Sequence, residues 1–166
     1  MVYVSLGTVP IFNQPGAFGP LLAGLADSGA DVVVTVGAET DPSALGPLPA
    51  NVIAARWLSL AALLPRCDAV LCHAGAGTTL AALSHGLPLV LSPRGADQFP
   101  TAAACRTAGV AQVLTPDPVS PEAVHTAIDT VLTDDSYRIA AGRLRAEIAA
   151  RPSPASVAQT LLTIGK

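Results

Sequence analysis

One short run in this sequence has the composition of an anion-binding turn. It reads His-Ala-Gly-Ala-Gly-Thr-Thr from His73 to Thr79 and directly follows an apolar stretch. Gly75 and Gly77 let the backbone approach a ligand closely, and the free N–H groups where Gly77-Thr78 opens a helix favour a phosphate. His73 can donate a hydrogen bond to the same anion. The alternative is that the glycines only turn the chain and His73 caps a strand, because a loose glycine pattern is weak evidence by itself.

Three other groups of residues have side chains suited to the rest of a nucleotide-linked ligand. Asp97 and Gln98 open a predicted helix and can hydrogen-bond sugar hydroxyls; alternatively, Asp97 is a helix cap and Gln98 is solvated. Trp57, the only tryptophan, offers a flat surface to a base, or it is a packing residue. Thr8 either contacts a phosphate or caps the next helix.

The elements that must position these residues alternate along the chain. Apolar runs predict strands over residues 2–6, 31–36, 51–55, 68–72, 88–92 and 111–114, and a loop covers 38–50. Helices are predicted over 15–28, 59–64, 78–85, 97–107, 121–132, 134–150 and 154–164, with N-caps at Ser120 and Ser153. Near-continuous apolar strands alternating with helices predict an α/β fold with a doubly wound, six-stranded parallel sheet. Ligands of such sheets bind beyond the carboxyl ends of the strands, where the polar groups above collect.

The composition excludes several functional classes. Of the 166 residues, 51% are hydrophobic and 13% charged, which excludes intrinsic disorder. A net charge of −3 argues against nucleic acid or a membrane surface as a partner, since both favour a basic face. No uninterrupted apolar run reaches about 18 residues, so no membrane insertion is expected. Three cysteines without a CxxC pair indicate reduced, buried thiols in a cytoplasmic protein.

The run from Arg56 to Thr101 resembles the signature of the GT-B nucleotide-sugar glycosyltransferases, in particular the bacterial natural-product enzymes. The opening residues 3–8 are similar to the first strand of that family's donor domain, so the resemblance covers essentially the whole chain. The matching residues are Trp57-Leu58, Leu63-Leu64-Pro65, Asp68-Ala69-Val70, His73 to Thr79, Ala82-Leu83, Gly86-Leu87-Pro88, Pro93 and Asp97-Gln98. The ordered spacings are specific, although each piece alone is not.

The resemblance implies a Rossmann-like, nucleotide-sugar donor-binding domain over residues 1–166 and assigns a role to each group. The donor diphosphate would be bound by Gly7, Thr8, His73, Gly75, Ala76, Gly77 and Thr78. Trp57 would lie beside the base, with the Leu58 backbone reading its edge, and Asp97 and Gln98 would bind the donor sugar. No metal or other cofactor is implied, because His73 and the helix start would neutralise the leaving diphosphate.

Two positions depart from the pattern of relatives that use UDP-sugars. A Glu eight residues after the histidine binds ribose hydroxyls in plant relatives and several UDP-sugar users, and here that position is Ala81. Leu60 replaces another polar residue of the plant signature. Because the deoxyribose of dTDP lacks the 2′-hydroxyl, a dTDP-sugar donor is expected. The sugar that it carries is expected to be a deoxy sugar.

The resemblance also places the acceptor site and the general base in an N-terminal domain, which we expect to be absent here. His85 and His125 do not fit the role of that base, so the chain is expected to have no catalytic residue and to bind nucleotide without transferring sugar alone. The expected activity is inverting transfer to a small-molecule natural product in antibiotic biosynthesis. The alternatives are a stand-alone donor subunit of a two-chain enzyme and a non-catalytic nucleotide- or NAD-binding module. Homodimerisation stays open.

Overall fold

The computed structural model describes residues 1–9, 11–115 and 119–164, and its centre is a parallel sheet of six strands. Strands β1 to β6 span Val2–Ser5, Val32–Thr35, Val52–Ala55, Ala69–Cys72, Leu89–Leu91 and Ala111–Val113. Their spatial order is β3-β2-β1-β4-β5-β6, and every neighbouring pair is parallel. The predicted doubly wound, six-stranded sheet is confirmed, and each strand begins and ends within one residue of its predicted bounds.

Helices connect the strands and cover the sheet. Helices α1 to α7 span Gly19–Leu25, Leu60–Leu63, Ala76–Ser84, Gln98–Thr107, Pro121–Thr133, Asp135–Ala149 and Pro154–Ile164. Short 3-10 turns occupy Pro15–Ala17, Pro42–Leu45 and Leu64–Arg66. Ser120 caps α5 by accepting a hydrogen bond from the Ala123 N–H, as its sequence position predicts. Within the described ranges, no helix has the length and apolar character needed to cross a bilayer.

Two predicted helices are shortened and partly replaced by 3-10 turns. The helix predicted over 15–28 is instead a 3-10 turn followed by α1, because Pro20 lacks an N–H and is tolerated only in the first turn of a helix. This helix ends at Leu25, whose carbonyl accepts a hydrogen bond from the Ser28 hydroxyl. The helix predicted over 59–64 is shorter than expected and continues as a 3-10 turn that contains Pro65. The predicted 38–50 loop also contains a 3-10 turn.

Alternating strand residues feed two hydrophobic cores, one on each face of the sheet. Val2 and Val4 point into the first core, beneath α1 and α5, whereas Tyr3 points into the second. The second core lies beneath α2, α3, α4 and α6. Each fully buried Val or Leu contributes about 1.5–3 kcal/mol, so a sheet covered on both faces is stable without disulfides. The three cysteines are free and buried, as predicted.

Candidate functional site

The predicted ligand-binding residues follow strands that meet at the switch in strand order. Strands β1 and β4 are neighbours at the centre of the sheet, and Ser5 is paired in register with Cys72. The loops that leave these strands therefore emerge side by side, and they begin with Gly7 and His73. In doubly wound sheets the crevice at this point is the usual binding site.

His73 lies between two glycines that are distant in sequence. A Cβ on Gly7 would lie 2.6 Å from the His73 Cε1 and 2.8 Å from its Nε2, and a Cβ on Gly75 would clash with the same edge of the ring. Gly7 also has a φ of +81°, a conformation that favours glycine. The structure thus brings Gly7, His73 and Gly75 into contact, and both glycines are needed for the ring to occupy this position.

The environment of His73 favours the neutral form of its imidazole. The side chain is only 8% exposed, and its Nδ1 is buried near the Ser5 backbone without a hydrogen bond of normal geometry. Burial lowers the pKa of His73, and the Arg94 guanidinium acts in the same direction, whereas the Ser5 backbone and the Asp97 carboxylate raise it. Burial is the largest of these effects. A neutral imidazole can donate one hydrogen bond and accept another.

Helix α3 begins at the same edge of the sheet and has no side-chain cap. It starts at Ala76, two residues earlier than predicted, with Gly75 as its N-cap. The reason is that Ala74 makes the turn in the left-handed region (φ +66°), which leaves Gly75 extended and Gly77 inside the helix. Among the residues that the structure describes, no side chain accepts a hydrogen bond from the N–H groups of this first turn, so they are available to an anion.

The other predicted phosphate ligands are accessible at this edge. Thr8 directly follows Gly7 and is exposed, Ala76 and Gly77 are exposed, and Thr78 is partly buried. All seven residues predicted to bind the diphosphate therefore lie in the loops and the helix start that leave β1 and β4. Their binding of a diphosphate stays a prediction.

The loop that follows β5 supplies Asp97 and Gln98. Asp97 occupies the N-cap position of α4, but its exposed carboxylate makes no capping hydrogen bond. The alternative of a solvated Gln98 is wrong, because this side chain is 3% exposed. Its Oε1 accepts hydrogen bonds from the backbone N–H groups of Arg94 (2.8 Å) and Gly95 (3.2 Å). Sugar binding by both residues stays a prediction, and for Gln98 only the amide nitrogen is left for it.

The residues predicted to bind the base lie farther along the edge. Trp57 and Leu58 follow β3, the outermost strand, which β2 and β1 separate from β4. Trp57 is 66% exposed, so it is not a core residue, and the alternative of a packing residue at the rim stays open. Leu58 is partly buried. An exposed ion pair between Arg56 and Asp41 (2.5 Å) links this turn to the loop after β2. Because β2 and β1 lie between the strands that precede Trp57 and His73, a ligand that touches both residues must span these strands.

Sequence reasoning missed two residues at this edge. Arg94 assists in lowering the pKa of His73, and its guanidinium donates to the Ala17 carbonyl (3.4 Å). Its position directly beyond the fifth strand was the available signal. Ala96 has a left-handed φ of +52°, for which an alanine gives no sequence signal.

Neither remaining histidine joins the site. His85 is the C-cap of α3, at the end of the helix away from this edge, and His125 is exposed on α5. Among the described residues, no cluster of three or more His, Cys, Asp or Glu side chains is arranged to hold a metal ion.

Comparison with known proteins identifies the family to which this arrangement belongs. The profile of the "erythromycin biosynthesis protein CIII-like, C-terminal domain" family matches residues 20–164. The chain is 33% identical over 162 residues to demethyllactenocin mycarosyltransferase of Streptomyces fradiae, an alignment that covers 97% of this chain and 35% of that protein.

Solved structures give the same result. The calicheamicin glycosyltransferase CalG4 superposes with a TM-score of 0.88 and 32% identity, over 98% of this chain and 42% of that one. Glycosyltransferase VinC, solved in complex with dTDP, superposes with a TM-score of 0.85 and 28% identity, over 98% of this chain and 41% of that one. The chain thus spans about a third of the curated relative's length and about two fifths of each solved chain. It belongs to the erythromycin biosynthesis protein CIII-like C-terminal domain family of natural-product glycosyltransferases.

Proposed function

We propose that this chain is the donor-binding domain of an inverting, metal-independent glycosyltransferase that takes its sugar from a dTDP-sugar and transfers it to a small-molecule natural product. The observation that carries the proposal is the position of His73, wedged between Gly7 and Gly75 beside the uncapped start of α3. A neutral histidine and several free backbone N–H groups converge there on one exposed edge. That combination suits a diphosphate.

The proposed mechanism is a single displacement at the anomeric carbon of the sugar. The acceptor oxygen forms a bond to this carbon from the face opposite the diphosphate, while the carbon–oxygen bond to the diphosphate breaks and its electron pair leaves with dTDP. The first-turn N–H groups of α3 and His73 stabilise the charge that develops on the leaving oxygen. A general base outside these 166 residues takes the acceptor's proton, and Asp97 holds hydroxyls of the sugar.

The preference for dTDP over UDP rests on Ala81 and Leu60. Both side chains are apolar and partly buried against the second core, so neither position offers a polar group to a ribose 2′-hydroxyl. The dTDP bound to the VinC relative is consistent with this preference. The proposal therefore predicts that the missing 2′-hydroxyl of deoxyribose does not weaken the binding of dTDP relative to UDP.

A titration tests both the site and the nucleotide. We expect dTDP to quench the fluorescence of exposed Trp57 and to bind at least as tightly as UDP, while NAD does not bind. Ala81→Glu is expected to shift the preference toward UDP, because a carboxylate can accept from the 2′-hydroxyl. Ser84→Glu, on the last turn of the same helix, is the matched control and is expected to leave the ratio unchanged. Clearly tighter binding of UDP by the unchanged chain would refute the dTDP preference, and no binding of either would refute the site.

A further inference from the structure

The turn between β4 and α3 is folded against a buried sulfur. Cys72 is the last residue of β4 and is fully buried, and it is paired in register with Ser5 on one side and Leu91 on the other, so its place in the sheet is fixed. Two residues later the chain turns at Ala74, which is also fully buried. The side chains of Cys72 and Ala74 both belong to the second core. The inner side of the turn is therefore packed, whereas α3 begins with two exposed residues.

Ala74 has a strained backbone conformation on which the start of α3 depends. Its φ is +66°, in the left-handed region, which is unfavourable for an alanine because the Cβ lies too close to the following carbonyl oxygen. A backbone of this kind persists only where the surrounding structure holds it. The conformation leaves Gly75 extended as the N-cap, and it therefore sets where the free N–H groups of α3 begin.

The Cys72 sulfur is a polar atom on the inside of this turn. Burial raises the pKa of the thiol to about 11, and the Ala74 N–H and the Thr79 hydroxyl both oppose that rise. These two groups lie before the start of α3 and within its first turn, and they oppose the rise because they are close to the sulfur. The Thr79 side chain is buried, and its hydroxyl has no hydrogen-bond partner of normal geometry among the described residues. The sulfur thus lies between the left-handed residue and the helix that follows it.

We propose that Cys72 is a positioning residue, whose buried sulfur holds Ala74 in the left-handed region and thereby keeps the start of α3 in the form that receives a diphosphate. The proposal rests on the proposed function, which puts the diphosphate at the first turn of α3 and at His73. Cys72 does not contact the ligand itself, because it is fully buried. Its effect reaches the ligand through one backbone conformation, so the effect should disappear when position 74 adopts that conformation without strain.

The experiment is a double-mutant cycle on the affinity for dTDP, measured by calorimetric titration of the full 166-residue chain. Cys72→Ala removes the sulfur, and Ala74→Gly removes the strain, because glycine adopts a positive φ about as readily as a negative one. Cys72→Ser is the conservative variant, since its hydroxyl oxygen can still accept a hydrogen bond from the Ala74 N–H. Cys72→Val fills the space without an acceptor and replaces Cys72→Ala if the cavity prevents folding. Cys67→Ala is the matched control, because Cys67 is a second buried thiol, whose sulfur donates to the Leu63 carbonyl (3.5 Å) before β4 begins.

We expect Cys72→Ala to weaken dTDP binding about fivefold, which corresponds to the loss of one typical hydrogen bond. When Ala74→Gly is already present, the same substitution should weaken binding by less than about twofold, because the two changes act through one conformation and are not additive. Cys72→Ser should bind dTDP nearly as tightly as the wild type. Exchange of the Ala74 amide proton should be faster in Cys72→Ala and stay slow in Cys72→Ser. Cys67→Ala should lower Tm as Cys72→Ala does and leave dTDP binding unchanged.

Other results overturn the proposal. An affinity of Cys72→Ala equal to that of the wild type would mean that the sulfur does not hold the turn that binds dTDP. A Cys72→Ser variant as weak as Cys72→Ala would mean that the packing of the sulfur matters and its hydrogen bond does not. An equal loss with and without Ala74→Gly would mean that the sulfur acts elsewhere than on Ala74. A wild type that binds dTDP retains its proposed function in each of these cases, whereas failure of the wild type to bind dTDP removes the function and the proposal together.

Discussion

Replacing Gly77 by alanine should make the protein more stable and a poorer binder of nucleotide. Gly77 is the second residue of α3 and is exposed, and no described residue other than its chain neighbours and its own helix backbone has a heavy atom within 4 Å of the position that a Cβ would take. The substitution therefore has no steric cost in the free protein. Alanine in place of glycine in a helix adds about 0.5–1 kcal/mol to the free energy of unfolding, which corresponds to a rise in Tm of roughly 1–4 °C in a chain of this size.

The same methyl group should act against the ligand. The proposed function puts the diphosphate in the open space beside the first turn of α3, and an added carbon there overpacks the complex. Overpacking costs about 1–3 kcal/mol, which corresponds to a roughly 5- to 150-fold weaker binding of dTDP. Thermal denaturation followed by circular dichroism measures the first effect and calorimetric titration with dTDP the second.

Gly142→Ala is the control for this substitution. Gly142 is an exposed helical glycine of α6, and apart from its chain neighbours and its own helix backbone it too has no described heavy atom within 4 Å of the Cβ position. The control should raise Tm and leave dTDP binding unchanged. If Gly77→Ala binds dTDP as tightly as the wild type, the diphosphate does not approach the start of α3, and the reasoning about that turn is refuted.

Three further predictions concern stability and reactivity. Burial lowers the pKa of His73 in the folded protein below its ordinary value of about 6.5. The neutral ring therefore makes its full contribution to the free energy of unfolding above that pH, and the contribution is lost as the pH falls below it. His73→Gln should flatten this part of the pH profile of stability in urea, and an unchanged profile would contradict the assignment. Burial raises the pKa of Cys72 to about 11, so native protein at pH 8 should resist iodoacetamide at Cys72 by mass spectrometry, and rapid labelling there would contradict its burial. A Cβ on Gly24 would lie 2.6 Å from the Cβ of Val124 and would clash with the Pro121 carbonyl. Gly24→Ala should therefore lower the free energy of unfolding, measured by urea titration, by about 1–3 kcal/mol. The folded variant should bind dTDP as tightly as the wild type.

The strands, and the starts of α4 to α7, could be predicted from sequence to within a residue, whereas the start of α3 could not. Strands buried on both faces are continuous apolar runs, and such runs end where solvent begins. The start of α3 depended on Ala74 instead, because an alanine in the left-handed region moves the turn one residue ahead of the first glycine. Alanine gives no signal for that conformation, so a prediction that assigns turns to glycines places this helix too late.

The site could be predicted as a set of residues but not as a set of contacts. Parallel strands deliver their loops to one edge, so the members of the set follow from the strand assignment alone. The packing of Gly7 against His73 joins residues that are far apart in the chain. It depends on the pairing of β1 with β4, which cannot be read from the sequence alone. The burial of Gln98 could have been predicted from the sequence, because Ala102 and Cys105 follow it at helical spacing on the buried face of α4.

The two glycines of the turn after β4 have different tasks, and the difference explains why both are glycine. Gly75 lies against the His73 ring, so a side chain there would displace a residue of the protein itself. Gly77 lies against open space, so a side chain there would displace only something that arrives from outside. Packing against His73 therefore requires a glycine at position 75. No such requirement exists at position 77, where alanine would stabilise the helix. Gly142 also lies against open space, so this absence alone does not indicate a ligand. What distinguishes Gly77 is its position at the uncapped start of α3 beside His73, and there the proposed function assigns it a role, to let the diphosphate approach the backbone.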